Sequence, residues 1–156
     1  MRIVLYQPRI PHNTGAIARL CAATRTPLHL VGPLGFSLDD KYLKRAGLDY
    51  WEHVKLTHWK NWEEYRQHLD KNHRLIMTSA RQGVNYTRQS YSFQDHLVLG
   101  PETWGLPDKI TSQADHLIRI PIWGEVRSLN LSNAAGIILY EAYRQTGVLD
   151  SAVHSK

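Results

Sequence analysis

A single cysteine, Cys21, occurs in the 156 residues, so no disulfide can close within the chain and no multi-cysteine zinc site can be built from it. That suits a reducing compartment. Long apolar runs are missing as well. Nothing approaches the roughly 18 consecutive residues that cross a bilayer, and the opening Met1-Arg2-Ile3-Val4-Leu5-Tyr6-Gln7-Pro8-Arg9 meets polar residues and proline too early for a signal-peptide core. A cytoplasmic protein with no membrane partner is expected. The chain has no G-x-G-x-x-G after its first apolar run, no G-x-x-x-x-G-K-[ST] and no H-E-x-x-H, which argues against a dinucleotide dehydrogenase, a P-loop NTPase and a zinc protease. Among the nine histidines, His53 with His58 and His68 with His73 are five apart, a spacing that does not align two rings on one helix face. They read as surface or packing groups, and no metal is expected.

Contiguous basic runs are also absent, although nineteen Lys and Arg against fourteen Asp and Glu leave a formal charge of +5. Such a balance favours approach to a polyanion. Any RNA surface must be assembled by folding. What is present is ordinary globular composition, 42% hydrophobic and 21% charged, in a length that suits a single domain spanning residues 1–156.

Apolar, β-branched runs at 3–6, 28–31, 54–56, 75–78, 97–99 and 117–120 predict strands. Helical spacing follows Asn13, an expected N-cap, with Ile17, Leu20, Cys21 and Thr24 on one face. Residues 38–46 read as a short helix with acidic groups early and basic groups late. Asn61 and Glu64 have capping-box spacing before a stripe of Trp62, Tyr65 and Leu69. A last helix is predicted over 131–145, stopped by Gly147, with Ala134-Ala135-Gly136 small enough for close packing, either within the chain or between two copies. Strands alternating with helices imply an α/β fold with a mostly parallel sheet flanked by helices. In such sheets ligands bind where loops leave the carboxyl ends of strands.

Three segments carry the chemistry. Leu99-Gly100-Pro101-Glu102-Thr103-Trp104-Gly105-Leu106-Pro107 places two glycines and two prolines after an apolar strand, which describes a rigid loop with open peptide groups, either a seat for adenine and ribose or an ordinary tight turn. In Asn13-Thr14-Gly15-Ala16-Ile17-Ala18-Arg19, Arg19 points away from the apolar stripe, to solvent or to a phosphate near an anion-friendly helix end. Ser128-Leu129-Asn130-Leu131-Ser132-Asn133 interleaves four polar side chains with leucines before a helix, more than capping alone needs.

In this order, N-T-G-x-x-x-R, G-P-E-T-x-G-L-P and S-L-N-L-S-N-A resemble the three motifs of the SPOUT class of RNA methyltransferases. The further stretches Leu5-Tyr6-Gln7-Pro8-Arg9-Ile10-Pro11, Ala46-Gly47-Leu48-Asp49-Tyr50 and Tyr140-Glu141-Ala142-Tyr143-Arg144-Gln145 resemble the TrmL (YibK-like) subfamily over nearly the whole chain. The resemblance implies a C-terminal deep trefoil knot and a homodimer. It also implies transfer of a methyl group from S-adenosylmethionine to the ribose 2'-hydroxyl of the wobble cytidine or uridine of leucine tRNAs, with S-adenosylhomocysteine as product. The remaining readings are action on another tRNA position or on ribosomal RNA, and an RNA-binding relative without activity.

By the same resemblance Thr78, Gly100, Ile120 and Ser128 fall at donor-binding positions, with backbone contacts from Leu99, Ile122 and Leu129. Arg19 matches the catalytic arginine, and Asn13 and Tyr140 are its expected partners. Arginine stays protonated in proteins, so Arg19 is read as holding a phosphate or polarising the 2'-oxygen, with Glu102 or water taking the proton. Trp104 stands where close relatives usually carry arginine, and Thr78 replaces a typically apolar residue. The tryptophan removes a cation and adds a surface on which a base can stack.

Overall fold

The computed structural model describes residues 1–39 and 50–151. Seven strands form one sheet: β1 (Arg2–Tyr6), β2 (Leu28–Val31), β3 (Leu56–Trp59), β4 (Leu75–Thr78), β5 (Val84–Asn85), β6 (His96–Leu99) and β7 (His116–Arg119). Their order is β3-β2-β1-β6-β4-β7-β5, with every pairing parallel. Among the described residues the helices are α1 (Pro11–Thr24), α2 (Trp62–Gln67), α3 (Asp108–Thr111), α4 (Leu131–Gln145) and α5 (Val148–Ser151).

Alternation within the strands explains the layering. Ile3, Leu5, Leu28, Leu30, Leu97 and Leu99 join Ile17 and Cys21 of α1 and Ile138, Leu139 and Ala142 of α4 in one core. Val4, Tyr6, Val31, Met77 and Val98 point the other way, against Trp62 and Tyr65 of α2 and Ile110 of α3. Strands covered on both faces become almost wholly apolar, which is the usual state of a parallel sheet. Fully burying side chains of this size contributes about 1.5–3 kcal/mol each.

Sequence and structure part at three places. Helix α1 begins at Pro11 with Ile10 in the N-cap position, so Asn13 lies inside the first turn and caps nothing. Proline's fixed φ favours that first position, and a carboxylate from a distant loop replaces the expected local cap. The strand expected at 54–56 is displaced to Leu56–Trp59, behind a single 3₁₀ turn over Trp51–His53. Three short elements, β5, α3 and α5, span too few residues to show a period in the sequence. The small-residue face of α4 is partly used within the chain, since Ala135 is 1% exposed in its own core while Ile137 and Tyr140 remain open. The helix expected over 38–46 lies, from residue 40 on, outside the described residues.

Candidate active site

Strand order places the three motif loops side by side. Strands β1, β6, β4 and β7 are consecutive neighbours, so chain segments leaving Tyr6, Leu99, Thr78 and Arg119 emerge at one edge of the sheet. The register carries this to the donor-binding candidates: Leu5 lies beside Leu99, and Thr78 beside Ile118. The Ser79 amide then donates to the Ile118 carbonyl at 2.9 Å, joining the first loop to β7. Leu99 and Gly100 are buried, Thr78, Ile120, Ile122 and Leu129 are half-buried, and Ser128 is exposed.

The loop after β6 closes on itself. The Gly105 amide donates to the Pro101 carbonyl at 2.9 Å, and Gly105 has a φ of +74°. A Cβ at Gly100 would stand 2.4 Å from the Leu106 nitrogen and 2.5 Å from the Gly105 carbonyl carbon. Only glycine lets two stretches of backbone approach so closely.

One hydrogen-bonded chain ties the three motifs together. Glu102 accepts from the Arg9 amide (3.0 Å, Oε2), from the Ile10 amide (3.2 Å, Oε1) and from the Asn13 side-chain amide (3.1 Å, Oε1). Asn13 in turn accepts at Oδ1 from Asn130 Nδ2 at 2.9 Å. Asn130 completes the chain as the cap of α4, its own Oδ1 accepting from the Ser132 amide at 2.9 Å and the Ser132 hydroxyl at 2.6 Å. The Glu102 carboxylate thus sits at the amino end of α1, where the helix dipole favours negative charge. Asn130 was not singled out as a site residue. Its signal in the sequence was its place before the last helix, which accounts for its oxygen but not for its amide.

Arg19 and Tyr140 stand outside this chain among the described residues. Arg19 is exposed on α1, six residues beyond Asn13 and so about 9 Å further along the axis. Its guanidinium lies 5.5 Å from the Tyr50 ring centroid, and the Tyr50 hydroxyl donates to the Gly15 carbonyl at 3.0 Å. That stacking holds the arginine over the helix. Tyr140 is 48% exposed on α4.

A second polar cluster lies on the α2 face of the sheet. The Trp59 indole donates to His29 Nδ1 at 2.8 Å, the Tyr65 hydroxyl meets His96 Nδ1 at 2.5 Å, and His96 Nε2 faces His73 Nδ1 at 3.1 Å. Burial, then the Arg2 charge, pushes His29 down to about 4 and His96 down to about 2. Both rings are neutral packing groups near neutrality. Among the described residues no group of three or more His, Cys, Asp or Glu is placed to hold a metal ion, and no helix is long and apolar enough to cross a membrane.

This edge of a parallel sheet, with a self-closed glycine loop bounded by apolar and hydroxyl side chains, suits an adenosine-bearing donor. Comparisons with known proteins agree. Residues 1–140 match the SpoU rRNA Methylase family. The tRNA (cytidine(34)-2'-O)-methyltransferase of Methylovorus glucosotrophus is 50% identical over 145 residues, covering 92% of this chain and 94% of its own. A solved structure concerned with 2-OH methylation of C/U34 on tRNA superposes with a TM-score of 0.91 at 44% identity, covering 94% of this chain and 96% of that one. An AdoMet-bound rRNA methyltransferase from Sinorhizobium meliloti superposes at 0.84 with 29% identity, over 92% of this chain and 55% of its own. The chain belongs to the SpoU rRNA Methylase family. The α/β architecture and the methyltransferase class expected from the motifs both stand.

Proposed function

We propose that this protein transfers a methyl group from S-adenosylmethionine to the ribose 2'-hydroxyl of the wobble nucleotide, cytidine or uridine 34, of tRNA, acting as a cytoplasmic homodimer. The observation that carries the reading is the chain from Glu102 through Asn13 to Asn130, which binds all three motifs into one site. The choice of nucleotide rests on the named activity of the 50%-identical relative and on the C/U34 structure. Leucine tRNAs and the trefoil knot follow from the motif resemblance.

In this reading Thr78, Gly100, Ile120 and Ser128 hold the donor, with the backbone of Leu99, Ile122 and Leu129, and the half-buried isoleucines form a wall for adenine. The donor supplies an electrophilic methyl on a sulfonium, so its departure needs no acid. The remaining difficulty is a weakly acidic hydroxyl that must lie in line with the methyl, a task of alignment and electrostatics. Arg19 holds the substrate phosphate or polarises the 2'-oxygen, and Tyr140 lines the acceptor side. Three of the roughly four acceptor positions of a carboxylate are engaged in Glu102. It therefore holds the loop against α1, and the proton passes to water.

The test is methyl transfer from labelled donor to total RNA lacking the modification, followed by nucleoside mapping. A 2'-O-methyl group at position 34 of leucine tRNAs is expected. Label in ribosomal RNA or at another tRNA position would overturn the assignment. RNA binding without S-adenosylhomocysteine binding by calorimetry would mean a relative without activity.

A further inference from the structure

Trp104 follows Glu102 by two residues, on the outer side of the donor loop, and remains 59% exposed. It is not loose. The Arg9 guanidinium lies over its ring, 5.4 Å from the centroid. Arg9 is itself confined: a Cβ at Gly35 would come within 2.8 Å of the Arg9 Cα, 3.0 Å of its Cδ and 3.1 Å of its Nε. The Gly35 amide donates to the Pro8 carbonyl at 2.9 Å, and the Arg9 amide is bound by Glu102. The result is a layered stack of Gly35 backbone, Arg9 guanidinium and Trp104 indole. The cation lies over the indole, and more than half of the residue remains open to solvent.

We infer that the exposed indole of Trp104 is a stacking platform for an unpaired nucleobase of the RNA substrate, held in place by Arg9. The inference rests on the RNA methyltransferase reading above. Sequence-specific contact with RNA falls mainly on unstacked bases laid on aromatic or guanidinium planes. A large exposed indole otherwise leaves apolar surface in water. Here it borders the donor-binding loop on a chain of net charge +5, where a base next to the reacting ribose would pass. The cation behind the ring adds attraction for the adjoining phosphate.

The experiment measures binding of a hairpin RNA with an unpaired anticodon-type loop, and of a blunt RNA duplex, by fluorescence anisotropy. It uses the wild type, Trp104→Ala and Trp104→Phe. Base–aromatic stacking predicts that Trp104→Ala weakens hairpin binding about tenfold. Trp104→Phe should recover most of that loss, and duplex binding should be unchanged. Calorimetry with S-adenosylhomocysteine should give one affinity for all three proteins. The proposal is overturned if Trp104→Ala binds the hairpin within twofold of wild type, or if phenylalanine fails as alanine does. It is also overturned if hairpin and duplex weaken together, or if the loss follows weakened donor binding or dimer dissociation seen by light scattering. Mapping the methylated nucleotide with wild-type enzyme separates the two readings. Label away from position 34 refutes the substrate assignment and leaves the stacking result intact, whereas label at 34 with unchanged Trp104→Ala binding refutes the platform alone.

Discussion

Replacing Glu102 by alanine removes the carboxylate by which the donor loop holds the start of α1. Three N–H donors lose their acceptor: the amides of Arg9 and Ile10 and the side-chain amide of Asn13. Arg9 and Ile10 are exposed, so water replaces the carboxylate there at a cost of about 0.5–1 kcal/mol each. Asn13 is only 8% exposed, and its stranded amide costs about 1–3 kcal/mol. The expected loss of unfolding free energy is roughly 2–5 kcal/mol. Glu102→Gln keeps one acceptor oxygen but turns an NH2 group toward a donor, so it should fall between wild type and alanine. The assay is urea unfolding beside S-adenosylhomocysteine calorimetry and methyl transfer. Alanine should lower both stability and donor affinity, because the released loop no longer holds Gly100 in place. Glutamine should retain measurable turnover. A Glu102→Ala protein as stable as wild type to within about 0.5 kcal/mol, yet without activity in either variant, would refute the holding role and restore Glu102 as proton acceptor.

Gly100→Ala drives a Cβ to 2.4 Å from the Leu106 nitrogen. Donor affinity should fall by about tenfold or more as the loop is forced open, and unchanged calorimetry would show that the loop yields freely. Arg19→Ala should lower methyl transfer at saturating tRNA by on the order of a hundredfold with donor affinity unmoved; a near-normal rate would remove Arg19 from the reaction. Stability should also depend on pH through the histidine cluster. His96 is held near 2 in the fold, against 6.5 for a free imidazole. The unfolded chain therefore binds the extra proton as pH drops below about 6.5, and stability present above that pH is lost by up to about 1.4 kcal/mol per pH unit toward the folded value. His29 acts in the same direction down to about 4. Urea unfolding between pH 7 and 5 should show a shallower slope for His96→Asn than for wild type, and equal slopes would contradict the burial argument.

Local patterns carried much of the fold. The predicted limits of β2, β4 and α4 agree with Leu28–Val31, Leu75–Thr78 and Leu131–Gln145. The Asn61 cap is present as expected, its oxygen accepting from the Glu64 amide at 2.8 Å. The Glu64 side chain, however, turns to the Lys60 amide at 2.6 Å, one residue before the position the capping box assigns it. Histidine spacing excluded a metal pair on one helix but could not show that His29, His73 and His96 meet across strands and loops. Such meetings depend on which strand edges pair, and no local period encodes that.

For the candidate site the division is sharper. Side-chain periodicity and backbone restriction at glycine and proline, each acting over a few residues, marked the loop at Gly100, the segment from Asn13 to Arg19 and the polar run before α4 as candidates; only the resemblance of their order to the SPOUT class made them one site. The insertion of β6 between β1 and β4 was decided only in three dimensions. It brings Glu102 to Asn13 across 89 positions, and the packing of α4 against α1 brings Asn130 to Asn13 across 117. It also supplied a distant carboxylate at the amino end of α1, where Asn13 joins two motifs. Hydrogen-bond partners this far apart are fixed by the pairing of whole strands, a cooperative choice among non-local contacts that the residues at either end do not determine alone.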